Sequence, residues 1–344
     1  MSTQGYSTVA SRNLIRAEPI MLKHAEGRQV LGSFGDQKTQ PLRKTDTVVF
    51  RRLQPWNATA AEVPDITAAN FITSEGVTPD ANTISYTDVT VTLRHYAVLF
   101  KFTSKAELMY EDDIPGDMAK LTGETLGEVA ELVSYGQLKA GSTVVYTNGS
   151  TRAGINTPVT LNALRSASRT LESNRGEKVT SAIKPGPNFN TASVEPGYVV
   201  FIHTDIAADV RDIPNFTPCV AYGSAMTKVH PREIGAVEEF RFVTSPLFKP
   251  YLAAGSSTIN GMISAGSAAV DVYPIVVIAE SALGHISLKG HGPSSISPTI
   301  IPSGVKNHAN PSGMFGYVGA DFWFNSVRLN ENWMVRIDSG ATDL

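Results

Sequence analysis

Residues 83–102, TISYTDVTVTLRHYAVLFKF, alternate apolar and polar side chains over a length that few single strands reach. Val89, Val91 and Leu93 fall on one face, with Thr90, Thr92 and Arg94 on the other. The register then flips, and Tyr96, Val98, Phe100 and Phe102 become the apolar set. A one-residue slip predicts a bulge or bend near Arg94–His95. Extended throughout, the stretch would span about 65 Å at about 3.3 Å per residue, against about five or six residues for an ordinary strand. A strand that long leaves the body of its own domain. Thr47–Leu53 reads as its partner, and residues 54–82 between them have no periodicity and many Pro, Ala, Thr and Asn. So long a loop inside a compact domain is uncommon and usually functional. The expected object is a two-stranded ribbon carrying a long loop. It is marginally stable alone and needs another surface to lie on, most simply a second copy of the chain.

Around the ribbon the pattern is mixed α and β. A polar, patternless segment covers residues 1–16, and a short helix is expected from Pro19 to Glu26 with Gly27 as its stop. Residues 115–139 predict a long helix, about 38 Å at 1.5 Å per residue. Met118, Leu121, Thr125, Val129, Leu132 and Gly136 form its inner face, and Gly141 its C-cap. A second helix is expected from an N-cap at Thr157 to Asn174, with inner residues Leu161, Leu164, Ser168 and Leu171 and a stop at Gly176. Asp205 is expected to cap a short helix reaching Ile213. Strands are expected at Tyr198–His203, Val237–Val243, Val272–Ala279, His285–Leu288, Met314–Val318, Phe322–Leu329 and Met334–Ile337. Residues 253–269, almost all Ala, Gly, Ser, Thr and Ile, read as a flexible loop. With 28 Gly and 20 Pro among 344 residues, a strand-rich fold with many turns is favoured over a bundle.

The net charge of −3 names no partner, but its distribution is uneven. Residues 1–55 hold nine Lys/Arg against four acids, a segment of +5 that leaves −8 on the remainder. Such an arm can bind nucleic acid, or the acidic body of another copy. It has no interleaved aromatics and no basic run longer than two, which favours self-contact. The first residues, MSTQGYSTVASRN, lack a charged start followed by an apolar core, so synthesis in the cytoplasm is expected. No apolar run is long enough to cross a membrane.

Chemistry is sparse. The single cysteine, Cys219, can make neither an internal disulfide nor a cysteine-based zinc site, and it reads as a small buried apolar residue. The seven histidines are scattered, with no helical pair at metal-ligand spacing. Nucleotide-binding, zinc-protease, calcium-loop and nucleophile-elbow patterns are all missing. Ser181 and Lys184 have the spacing of an acylating serine but sit in a Pro/Gly loop without companion motifs. Glu111, Asp112 and Asp113 precede the long helix, where acids favour the helix dipole. Glu238 and Glu239 are expected inside a strand, with a carboxylate facing solvent or pairing with Arg241.

The order of arm, ribbon, long helix and α/β region resembles the Hong Kong 97 fold of tailed-phage and encapsulin shells. Local sequences are similar to the Schitovirus-type (N-four-like) major capsid family: Phe34-Gly35-Asp36-Gln37, Thr47 to Arg52, and Ser74-Glu75-Gly76-Val77-Thr78-Pro79, with Ser for the family's Thr. Glu233-Ile234-Gly235 with Glu238, Phe240 and Arg241 resembles a further family segment, although Glu239 stands where the family often has Gly. Asn332 to Ile337 looks like the closing strand.

The resemblance implies an α+β capsid fold divided as follows: arm 1–45, extended loop hairpin 46–103, spine helix and peripheral domain 104–150, mainly axial domain 151–320, and C-terminal peripheral strands 321–344. It implies a non-enzymatic major capsid protein of the virion that assembles with itself into hexamers and pentamers. The resulting shell encloses double-stranded DNA without sequence-specific binding. Scaffold, portal and decoration proteins are the further partners; no cofactor, metal or membrane is involved. Arg51, Arg52, Trp56, Glu75 and Arg94 are the expected inter-subunit contacts. Three alternatives stay open at this point: an encapsulin-like compartment shell, a soluble hydrolase built on Ser181 and His203, and a tail or decoration protein.

Overall fold

The computed structural model describes residues 29–56, 62–64, 66–73, 75–76, 78–79, 81–110, 113–180, 195–222, 228–266, 268–306, 308 and 310–344. The expected helix at Pro19–Glu26, Glu111, Asp112 and the Ser181–Lys184 segment lie outside the described residues.

Thr47–Leu53 (β2) pairs with Tyr86–Thr92 (β3) as a two-stranded ribbon. The register flip is where β3 ends. Leu93 is buried, its N–H donates to the Asp46 carbonyl at 2.8 Å, and a new strand, Arg94–Thr103 (β4), begins. The expectation of one continuous strand through residue 102 is therefore corrected. β4 belongs to another sheet and runs antiparallel to Phe315–Arg328 (β13), from Arg94 opposite Phe324 to Thr103 opposite Phe315. After the slip, alternate side chains from Tyr96 to Phe102 all point into a helix-covered core, and burial there outweighs continuing a solvated ribbon.

The described residues divide into two compact units, each woven from three chain segments. The first takes residues 29–48, 91–134 and 285–327. Its sheet runs Asp36–Gln40 (β1), Leu283–Leu288 (β11), β13 and Ser297–Ile301 (β12), with β4 also bonded to β13. The two strands expected across 314–329 are thus one 14-residue strand. Gly319 inside it permits close pairing: a Cβ there would stand 2.9 Å from Leu99 Cδ1 and from the Val98 carbonyl.

Ser104–Met109 (α1) and Ile114–Lys139 (α2) pack on that sheet. The Asp113 carboxylate accepts the Gly116 N–H at 3.1 Å, capping the start of α2. The inner face expected for α2 holds at Met118 and Val129 and is corrected at Leu121 and Leu132. Met118, Ala119, Thr122, Leu126, Ala130, Glu131 and Ser134 are buried, whereas Leu121 is 49% and Leu132 38% exposed. Four of those buried positions, Ala119, Thr122, Ala130 and Ser134, carry small side chains. Their hydroxyls are satisfied locally, Thr122 donating to Met118 O at 2.7 Å and Ser134 to Ala130 O at 3.1 Å.

The second unit takes residues 49–90, 135–284 and 328–344. Its seven strands run Val144–Tyr146 (β5), Met334–Ser339 (β14), Tyr273–Ile278 (β10), Tyr198–Ile202 (β6), Phe240–Thr244 (β9), Glu233–Val237 (β8) and Thr217–Pro218 (β7). The central runs YVVFI and YPIVVI are buried at every position, as expected for strands covered on both faces. Leu161–Ser173 (α3) supplies Ala163, Leu164, Ala167 and Leu171 to this core.

Several local expectations are corrected here. Thr160 caps α3, accepting from Ala163 N–H at 3.3 Å; Thr157 lies outside the helix, its carbonyl accepting from Gly340 N–H at 3.0 Å. At the far end Arg175, with φ +56°, holds the left-handed position expected of Gly176. The Arg175 N–H donates to Glu172 O at 3.0 Å and the Gly176 N–H to Leu171 O at 2.8 Å. The next short helix, Ala207–Arg211 (α4), follows a turn capped by His203 Nδ1, which accepts from Asp205 N–H at 3.2 Å, so Asp205 is not the cap. Glu238 and Glu239 form the two-residue turn between β8 and β9, with Val237 opposite Phe240. They pair with Arg165 and with Lys178 rather than Arg241. The glycine-rich loop after residue 252 is pinned: Asp271 accepts from Ala253 N–H at 2.7 Å and Ala265 N–H at 2.8 Å.

Candidate functional site

The ribbon and its loop carry four of the five side chains expected at subunit contacts. Alternation along β2 sends Arg51 to the exposed face, where Nε and Nη2 donate to the two Asp88 oxygens, each at 2.7 Å. The hydrogen bond from Arg51 holds the Asp88 carboxyl below its ordinary range. Arg52, on the opposite face, points back into its own chain. Its Nη1 and Nη2 donate to Glu62 at 2.9 and 3.1 Å, and its guanidinium lies 5.2 Å from the Trp333 ring centre. Glu62 also accepts from Asn330 Nδ2 at 3.3 Å and Asn332 Nδ2 at 3.2 Å. Burial alone would raise the Glu62 pKa, but these donors together hold it below the usual range.

Trp56 is half-exposed and meets Phe71 edge to face at 5.4 Å. Glu75 is exposed in a turn with Gly76 at φ +79°. Arg94 opens β4 in the first unit's sheet and is exposed. The fold thus ties Arg52 and Trp56 into local clusters, pairs Arg51 with Asp88, and leaves Glu75 and Arg94 facing solvent. Apolar exposure is concentrated around them. Among the described residues, 9 of the 21 exposed large apolar side chains lie between Val49 and Tyr86, with Ile72 80% and Ile84 70% exposed. Such density makes this stretch a candidate interaction surface.

Two further clusters escaped sequence reasoning. In the first unit, the buried Glu131 of α2 accepts from Val30 N–H at 3.0 Å and Leu31 N–H at 2.9 Å. His285 of β11 faces Leu31 O at 3.2 Å and Phe34 O at 2.9 Å through Nε2. With two carbonyls before it, Nε2 is assigned as the protonated nitrogen. Burial pushes the His285 pKa down. The two side chains clamp the backbone of residues 30–34 and line a cavity of about 120 Å³. No sequence signal marks Glu131, which lies off the inner face expected for α2.

In the second unit, Glu233 accepts from Val229 N–H at 2.7 Å and Tyr222 Oη at 2.9 Å, and Arg241 is buried in the same region. Burial raises the Glu233 pKa. A Cβ on Gly235 would meet Phe216 and the Thr217 carbonyl at 2.5 and 2.6 Å. The segment singled out in the sequence therefore has a packing role here: a buried carboxylate, a close approach and a tight turn.

Cys219 is buried, with Sγ 3.2 Å from Glu233 O, and burial pushes its thiol up to about 11. His203 caps a turn, as described above. Among the described residues no three His, Cys, Asp or Glu side chains are grouped to hold a metal, and no helix is long and apolar enough to cross a membrane.

No protein-family model matches the chain, and no curated protein matches it. Solved structures do. The chain is similar to the capsid of Ralstonia phage GP4, with TM-score 0.62 and 9% identity over 98% of this chain and 95% of that one. It is similar to the head structure of Helicobacter pylori bacteriophage KHP40, with TM-score 0.57 and 9% identity over 99% and 95%. It is also similar to the capsid asymmetric unit of cyanophage Pam1, with TM-score 0.57 and 11% identity over 98% and 97%. At such identities the likeness speaks for architecture, and it runs through both units. The chain has the α+β, Hong Kong 97-like fold of phage capsid chains.

Proposed function

We propose that this chain is a major capsid protein of a tailed bacteriophage, a non-enzymatic subunit that tiles a closed virion shell with many copies of itself. The carrying observation is the fold shared with capsid chains over nearly its whole length. The apolar loop between Val49 and Tyr86, exposed in one copy, supports the same reading. Hexamers and pentamers would share one polypeptide, with loops adapting while the sheets stay rigid. Each contact can be weak because a closed shell engages every subunit many times. We further propose residues 1–45 as the arm, the ribbon with its loop as the extended loop, the rest of the first unit as the peripheral domain with α2 as its spine, and the seven-stranded sheet as the axial domain, a division that takes Met334–Ser339 out of the peripheral strands expected at 321–344 and residues 285–320 out of the axial region. The motifs at residues 34–37, 47–52, 74–79 and 233–241 favour the Schitovirus-type family. Double-stranded DNA would be enclosed without sequence-specific binding, and scaffold, portal and decoration proteins would be the other partners.

Electron microscopy of the expressed chain, with and without a scaffold protein, tests this. Hollow particles of uniform curvature are expected. A monodisperse monomer under every condition overturns the reading.

A further inference from the structure

Where α2 ends in the second unit, two arginines meet one buried carboxylate and a lysine shares an aromatic ring with one of them. Asp338, fully buried, takes Arg152 Nε at 3.0 Å on one oxygen and Arg336 Nε at 2.9 Å on the other. Arg336 is spent on the fold, its Nη1 also donating to Gly141 O at 2.9 Å. Arg152 is only partly so, its Nε held by Asp338, and Lys139 makes no ion pair among the described residues. Both lie on the ring of Tyr251, with Nζ 3.9 Å and Cζ 3.7 Å from its centre. Lys139 Nζ donates to Lys249 O at 3.0 Å and Pro250 O at 3.3 Å, which orients the ammonium without neutralising it. The Arg152 side chain is 30% exposed, and its two Nη atoms make no hydrogen bond among the described residues. Three positive charges against one negative leave the cluster at +2. A planar guanidinium stacked on an aromatic ring, with its outer donors open, is preorganised for a carboxylate or phosphate.

The chain carries a matching anion. Residues 53–93 contain five acids and no Lys or Arg. Among the described ones, Glu62 is taken by Arg52 and Asp88 by Arg51. Glu75 stands exposed in its turn. We propose that Arg152, Lys139 and Tyr251 form a carboxylate receptor, and that Glu75 of a second copy of this chain is what it receives. This rests on the shell reading and adds a named contact to it.

Charge swaps test the contact. Glu75→Lys on an exposed turn is expected to lower particle yield on the order of tenfold, because the loss repeats at every subunit. Arg152→Glu is expected to do the same. Co-expressing the two variants in equal amounts raises yield above either alone: where unlike copies adjoin, Glu75 faces Arg152 and Lys faces Glu, while either variant alone opposes like charges. Circular dichroism checks that Arg152→Glu folds beside Asp338. If it does not, Glu75→Gln and Arg152→Gln replace the pair, and the double variant should lose no more than either single one. Parent-like yield from Glu75→Lys, or a mixture no better than its components, overturns the contact and leaves the shell reading standing. Arg152→Glu particles that form normally but retain less short duplex DNA would make phosphate the anion, which also overturns it. If the parent chain never forms particles, the shell reading falls and the contact with it.

Discussion

Single side chains set the ribbon and the arm. Glu62 joins Arg52 to Asn330 and Asn332, so Glu62→Ala strands one guanidinium and two amides. A loss of about 1–3 kcal/mol is expected, read from urea melts of unassembled subunits, with Glu62→Gln less harmful. His285 is held below its ordinary pKa by burial. Its folded form stays neutral where the unfolded chain already binds a proton. Stability is therefore complete above about pH 6.5 and falls as pH drops through the folded value. Melting curves at pH 7.5 and pH 5 should show that loss in the parent and less of it in His285→Gln; equal losses would remove His285 as the cause.

Elements were legible where periodicity and burial agree. The ends of β2 and α2 match the sequence reading to within a residue, and the β6 and β10 runs are apolar enough to admit one interpretation. The inner face of α2 was only partly legible, because Thr122, Glu131 and Ser134 are buried while the more apolar Leu121 and Leu132 are exposed. Nor was the partition between β3 and β4. A slip in alternation marks a break, but only the identity of the partner strand says that the two halves join different sheets. Of the candidate contacts, Arg52 shows the limit best: its carboxylate partner is ten residues away in a patternless loop, and no periodicity reports it. The termination of α3 carries its own expectation. Arg175 occupies a left-handed conformation that suits glycine, so Arg175→Gly should stabilise the unit by about 1 kcal/mol, visible as a higher urea midpoint with unchanged slope.

For the whole molecule, folding and assembly should separate cleanly. Phe71 and Ile72 are 50% and 80% exposed in a single copy. Phe71→Ser with Ile72→Asp is expected to shift the subunit's own stability by no more than about 0.5 kcal/mol and yet to abolish particles, checked by thermal melts beside electron microscopy. Particles at parental yield would mean that the loop stays bare in the shell. The weaving of both units has a consequence for synthesis. β13 bonds to three other strands of its sheet, and β14 lies between β5 and β10. Until residues 315–339 have been translated, neither sheet has its organising strand. At about 5–20 residues per second, β4 and β5 wait roughly 10–40 s before β13 and β14 supply their partners. An unfinished chain therefore lacks a central strand in each sheet, and the order of translation holds back the complete fold until β13 and β14 emerge.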